Sequence, residues 1–179
     1  ALRGLCVLPE MIQHFDISRE MSVSAVEHAM VGDQKVFLVT QRDIELEEVQ
    51  IEDLYQIGTI AKIKQLVKMP GGLIRVMVEG LERAEMTALE EEGPYLKADV
   101  ELAPLKEEKL SDAVKEAMAR VVKDKLEEFG NSNPKLVKDF MGSLLMIDDL
   151  EELLVRTAGQ FPLDYKVRQE LLECEYVSH

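Results

Sequence analysis

Between Gly58 and Gly80 the chain reads GTIAKIKQLVKMPGGLIRVMVEG, two alternating apolar runs on either side of Pro70-Gly71-Gly72, and this constrains the fold more than any other stretch. Alternation with a period of two sends successive side chains to opposite faces of a strand, and a Pro-Gly-Gly turn joins two such strands into a hairpin. Ala61, Ile63, Val67 and Met69 share one face, with Lys62, Lys64 and Lys68 on the other. Ile74, Val76 and Val78 repeat the pattern against Arg75, Met77 and Glu79. The expectation is a half-buried antiparallel sheet, a scaffold with one wet face.

Further strand patterns surround the hairpin. Leu5–Leu8 and Met11–Ile17 read as strands split by Pro9, which cannot donate to a central ladder. A helix follows, capped by Ser22 or Ser24, with Val23, Val26, Ala29 and Met30 on its apolar face and Gly32-Asp33 as its stop. Lys35–Gln41 contains the continuous run Val36-Phe37-Leu38-Val39 of a strand buried on both sides, and an acidic loop occupies 43–53. Arg83–Leu89 and Tyr95–Leu102 supply two more strands, joined by a turn at Glu90–Pro94. Five or six strands with one helix suffice for a small barrel or pseudo-barrel.

At Pro104 the apolar period lengthens to that of a helix. Leu110, Val114, Ala117, Val121 and Leu126 form the first stripe, ended by Gly130-Asn131. Asn133 caps a second helix with Pro134 at its first position and Leu136, Val137, Phe140, Leu144 and Leu145 on its apolar face, Gly142 sitting inside it. Asp148 and Glu151 match a capping box before Leu150, Leu153 and Leu154, and Gly159 and Pro162 close that helix. Asp164 opens a fourth, with Val167, Leu171 and Leu172 inward and no stop signal after Glu175. The fold class expected is α+β: a β-rich subdomain over 1–104 and a bundle of about four helices over 105–179.

Composition narrows function mainly by exclusion. The chain carries a net charge of −14 and both halves are acidic, which opposes binding to a polyanion. Lys62, Lys64 and Lys68 then read as a solvated strand face. Cys6 and Cys174 stand at opposite ends, giving neither a disulfide framework nor metal-ligand spacing, so both are expected as reduced, buried thiols. No run of roughly 18 apolar residues and no secretory leader is visible, so the expectation is a cytosolic protein without a membrane partner. A start without Met and a last helix without a stop suggest a fragment of something longer.

Motifs for chemistry are lacking in the same way. None of the ten glycines precedes a lysine, so the stretch holds no phosphate-binding Walker loop and no ATPase site. His14, His28 and His179 are scattered, Ser111, Ser132 and Ser143 lie in cap or small-residue contexts, and Glu90-Glu91-Glu92 is a charge run at a turn. The expected catalytic, metal and cofactor residues are therefore none. Nine methionines read mostly as core filling. Met69, beside Pro70 and near Leu73 at the hairpin tip, is the exception: either the tip is an apolar contact for a partner, extended by Met86, or these residues close the end of the barrel.

A family resemblance gathers these pieces. Leu2-Arg3-Gly4-Leu5 with Pro9 and Met11, Ser18-Arg19-Glu20, Val26-Glu27-His28-Ala29-Met30 before Phe37-Leu38-Val39-Thr40-Gln41, and Leu54-Tyr55-Gln56-Ile57-Gly58-Thr59 come first. Ile74-Arg75-Val76, Val78-Glu79-Gly80-Leu81 with Arg83-Ala84, and Phe161-Pro162-Leu163 near Glu170-Leu171-Leu172 follow. In this order they resemble the N-terminal domain of Lon proteases over essentially the whole chain. Glu10 and Ser18 depart from it, where the family commonly has glycine, as does His14, where it commonly has proline.

The resemblance implies a PUA-like first subdomain and a helical second one. It also implies a region that precedes an AAA+ ATPase module and a Ser-Lys peptidase module, selects unfolded or damaged protein substrates, and supports a homohexamer. ATP and Mg then belong to the missing module, and no catalytic residue carries over. A purely structural oligomerisation module, with the last helix as a stalk, is the first alternative. A PUA-like RNA-binding protein is the second, which the acidity opposes.

Overall fold

The computed structural model describes residues 1–106, 108–132 and 134–178, with backbone alone over 135–140. The expected Asn133 cap, the apolar face of Leu136, Val137 and Phe140, and His179 lie outside the described side chains. The order of elements is β1 (Ile12–Ile17), α1 (Glu20–Val31), β2 (Lys35–Leu38), a 3-10 turn at Ile51–Asp53, β3 (Ile57–Lys68), β4 (Ile74–Glu90) and β5 (Lys97–Leu102). The helices α2 (Asp112–Ser132), α3 (Pro134–Leu145), α4 (Leu150–Gln160) and α5 (Tyr165–Glu173) follow, giving the α+β class that the periodicity implied.

The sheet is antiparallel in the order β1-β4-β3-β2, with β5 also paired to β4. The two hairpin strands pair from Ile57↔Glu85 to Lys68↔Ile74. The separate strand expected at Arg83–Leu89 is instead the far half of β4, which runs unbroken for 17 residues. Its first half lies between β3 and β1, its second between β3 and β5. No ladder joins β1 to β2, so the strands form an open pseudo-barrel.

Two register shifts in β3 alter the facing of the hairpin. Ala61, Ile63, Ile74, Val76 and Val78 are buried as the alternation requires. After the shift between Ile63 and Gln65 the phase changes, so Leu66 packs on the core and Val67, expected inward, is 41% exposed. An extra residue in one strand reverses every side chain beyond it.

Gly58 and Gly80, which bound the hairpin in sequence, lie within its strands for a packing reason. A Cβ on Gly80 would come within 2.2 Å of the Leu8 carbonyl, and one on Gly58 within 2.4 Å of the Leu38 carbonyl. At Gly80 the amino-terminal segment crosses the sheet, donating from Glu10 N–H to the Gly80 carbonyl and accepting Gly80 N–H at Met11 (both 2.8 Å). Leu5–Leu8, expected as a strand, is not one. Thr40 and Thr59 hydroxyls donate to the Leu5 and Val7 carbonyls instead, at 2.8 and 2.7 Å.

Helix starts and faces depart from expectation in detail. α1 begins at Arg19-Glu20, ahead of both serines, and Arg19 donates to Gln41 Oε1 and the Ala1 carbonyl. Ser111 does cap α2, accepting Val114 N–H at 3.3 Å. The buried side of α2 is Ala119, Leu126 and Gly130, with Met118 and Val122 packed beside them. The expected stripe instead leaves Val114 and Val121 exposed, the latter by 60%. Asp149, one residue on from Asp148, caps α4 by accepting Glu152 N–H, while Asp148 pairs with Lys123. α5 buries Arg168, Gln169 and Leu172 and exposes Val167 and Leu171. It ends at Glu173, so the unterminated helix expected there is absent, and the chain turns back to pair Lys106 N–H with the Glu175 carbonyl.

Candidate protein-binding surface

The hairpin tip is built as its turn residues demand. Gly71 and Gly72 take the left-handed conformation (φ 82 and 77), which costs glycine little, and Met69 N–H donates to the Leu73 carbonyl at 2.7 Å. Pro70 is exposed, whereas Met69 and Leu73 are half-buried. These three sit together. Met86 does not join them: it lies twelve residues further along β4 than Ile74, about 40 Å of strand at 3.3 Å per residue. It is 4% exposed and packs with Val39 and Leu54, so the expected extension of the tip patch to Met86 is corrected to a core position.

The outer face of the sheet, opposite the side where α1 packs, is the wet face that the alternation predicts, and it carries more apolar surface than the hairpin pattern implied. Register places Ile12, Glu79, Lys62 and Lys35 in one row across β1, β4, β3 and β2. His14, Met77 and Gln65 form the next row, and Asp16, Arg75 and Val67 the third. Ile12 is 63% exposed and Met77 half-buried, so apolar groups recur along a face that no helix of the described residues covers. Val67 reaches it only through the register shift, a tertiary feature without a sequence signal.

Charges on this side are largely paired. Lys64 meets Glu79 at 2.8 Å and Lys68 reaches across to Glu27 of α1 at 3.2 Å, which splits the lysine comb between two faces. Arg75 grips Asp16 with two hydrogen bonds of 2.8 and 3.0 Å, holding that carboxyl below the usual carboxylate range and raising its own pKa.

A depression of about 450 Å³ lies at the seam between sheet and helices, lined by Arg42, Arg83 and Lys106 with Glu85, Glu173 and Glu175. Its cations are committed to the fold. Arg83 donates to the Ala103 and Leu172 carbonyls at 2.6 Å and to the Glu173 carbonyl at 3.3 Å. Lys106 bridges Glu175 at 2.6 Å, and Arg42 donates to the Leu54 carbonyl while lying over the Tyr55 ring. Nearby, burial pushes the Cys6 thiol up to about 11. Its Sγ lies 3.6 Å from Gln169 Oε1, so it is an inert thiol, while Cys174 is only half-buried. Among the described residues no cluster of His, Cys, Asp and Glu could hold a metal ion. His28 stacks on the Tyr95 ring, with centroids 5.0 Å apart.

The fold and its surfaces thus define a mixed α+β module with an uncovered sheet face and a polar seam. Comparison with known proteins gives the particular family. Residues 1–178 match the ATP-dependent protease La (LON) substrate-binding domain, and the chain belongs to that family. It is 41% identical over 172 residues to the Lon protease of Lachnoclostridium phytofermentans and 36% identical to Lon protease 1 of Bacillus subtilis. Each alignment covers 96% of this chain but only 21% and 22% of those relatives, so the chain spans about a fifth of their length. The fold is shared with the N-terminal domain of Mycobacterium avium complex Lon protease (TM-score 0.72, 22% identity, 99% of this chain and 89% of that one). It is also shared with a Lon N-terminal domain protein from Xanthomonas campestris (TM-score 0.64, 15% identity, 98% and 88%).

Proposed function

We propose that this chain is the non-catalytic part of an ATP-dependent Lon-type serine protease that binds unfolded or damaged proteins and passes them to the remainder of the protein. The observation that carries the reading is the family match over 1–178, joined to an exposed face on which Ile12, Met77 and Val67 recur without a covering helix. Apolar surface at the end of a rigid hairpin suits partners that share only exposed apolar residues. ATP and Mg act in the missing module of the parent and no cofactor acts here. The parent works as a cytoplasmic homohexamer. No helix among the described residues is long and apolar enough to cross a membrane.

Anisotropy of a labelled, permanently unfolded protein against its folded counterpart, at low and high salt, tests the reading. Preferential, salt-tolerant binding of the unfolded form is expected, and equal binding of both forms overturns it. Met69→Asp and Leu73→Asp are expected to weaken capture about fivefold each without loss of fold. Unchanged capture removes the tip from the contact.

A second role in assembly rests on Val167 and Leu171 of α5, which face outward one turn apart. Concentration-dependent sedimentation, abolished by Leu171→Glu, is its expected signature. RNA binding is disfavoured by the −14 charge and by the carboxylates already paired with Lys64 and Lys68.

A further inference from the structure

β1 is an edge strand whose outer backbone groups are open. Gly80 N–H donates to the Met11 carbonyl, and the ladder runs on in register from Ile12↔Glu79 to Ile17↔Ile74. Antiparallel pairing alternates, so Gln13, Phe15 and Ile17 turn their N–H and C=O groups to β4 while Ile12, His14 and Asp16 turn theirs outward. Among the described residues no group pairs with the outward N–H groups. The outward His14 carbonyl is met only by the Gln13 side-chain amide at 2.7 Å.

The other edges differ. Just past β2, Leu2 pairs with the segment that follows it, Leu2 N–H to the Val39 carbonyl and Gln41 N–H to the Leu2 carbonyl, both 2.8 Å, and β2 itself begins with the exposed Lys35. β5 presents the exposed charges Lys97, Asp99 and Glu101. Within Ile12–Ile17 β1 has no proline, no lysine and no register shift, and its one carboxylate is held by Arg75. A shallow depression of about 300 Å³ lined by His14, Phe15, Asp16 and Arg75 lies alongside.

We propose that β1 captures an extended segment of an unfolded protein as an added strand, with apolar and basic side chains on that segment. This rests on the protein-binding reading above and supplies its mode. Backbone pairing recognises what every unfolded chain shares, whatever its sequence, and exposed Ile12 gives an apolar neighbour for alternate side chains. Charge selects the occupant of this edge: a net −14 favours a basic segment over the same strand of a second acidic copy.

The test uses a labelled, unstructured peptide of alternating valine and lysine and two twins, each N-methylated at every second residue in opposite phase. The wild-type chain is expected to bind the parent peptide and one twin alike and the other about tenfold more weakly, because only one phase carries the donors that face the edge. His14→Pro removes an outward donor and leaves the β4 ladder intact, and about a tenfold loss with an unchanged circular dichroism spectrum is expected. Should that variant misfold, amide exchange on the unsubstituted protein decides: peptide must protect Ile12, His14 and Asp16 while Gln13 is protected beforehand. Equal binding of all three peptides, with Met69→Asp still weakening capture, overturns edge pairing and leaves protein binding standing. No binding of any peptide or of unfolded protein overturns both. Protection of His14 that rises with protein concentration alone overturns the assignment in favour of a second copy.

Discussion

Glu10 occupies the left-handed region (φ 63) where a side chain is strained, and it is one of the positions that depart from the resemblance read in the sequence. The departure at Ser18 falls on an exposed residue just ahead of Arg19, and that at His14 on the open edge of β1 rather than in a loop. Glu10→Gly is expected to raise stability by about 1 kcal/mol, since relief of the strain exceeds the extra freedom given to the unfolded chain. Urea unfolding checks it, and a fall in the midpoint refutes the strain argument. Cys6 gives a second residue-scale prediction. Its folded pKa of about 11 exceeds the ordinary 9.0, so the stability it contributes is complete below pH 9 and is lost as pH rises towards 11. At pH 8 a thiol reagent should label Cys174 promptly and Cys6 only on unfolding. Equal labelling rates would contradict the burial.

The elements were legible in the sequence wherever one local pattern decided them. The hairpin, its Pro-Gly-Gly turn, α1 and the cap at Asp164 follow from alternation, helical spacing and side-chain acceptors, all of which act over a few residues. Facing was less legible. α2 has apolar residues on two sides, so Val114 and Val121 stand as good a claim to the core as Ala119 and Leu126 until the positions of α3 and α4 are known. α5 inverts expectation further, burying Arg168 and Gln169 because Gln169 donates to the Ile57 carbonyl at 3.0 Å and Arg168 to the Phe161 carbonyl at 2.9 Å. Of the glycines at the hairpin margins, Gly80 records a crossing backbone and Gly58 the close approach of Leu38 and Phe37 of β2, rather than turns. Gly80→Ala is expected to cost about 3 kcal/mol, because its Cβ would meet the Leu8 carbonyl at 2.2 Å and neither backbone can withdraw freely. A change below about 0.5 kcal/mol would mean that the amino-terminal segment moves aside.

For the whole molecule the decisive contact is the seam. Arg83 on β4 ties the segment after β5 and the carboxyl end of α5 to the sheet, and Leu172 packs among Cys6, Leu8 and Met11. Arg83→Met is expected to lower stability by about 2 kcal/mol and to speed amide exchange in α5, since the Ala103 and Leu172 carbonyls lose a charged donor. Unchanged exchange in α5 would show that apolar packing alone holds it. By itself the sequence determined the α+β class, the change of period near Pro104, the acidic surface and the want of catalytic motifs, because composition and short-range periodicity are local quantities. Only the tertiary structure decided that Met86 is core, that a register shift turns Val67 outward, that α2 and α5 are rotated from their most obvious apolar stripes, and that β1 is left with an open edge. Each of these depends on which distant backbone lies alongside, and that is settled by packing and hydrogen bonding between segments far apart in the chain.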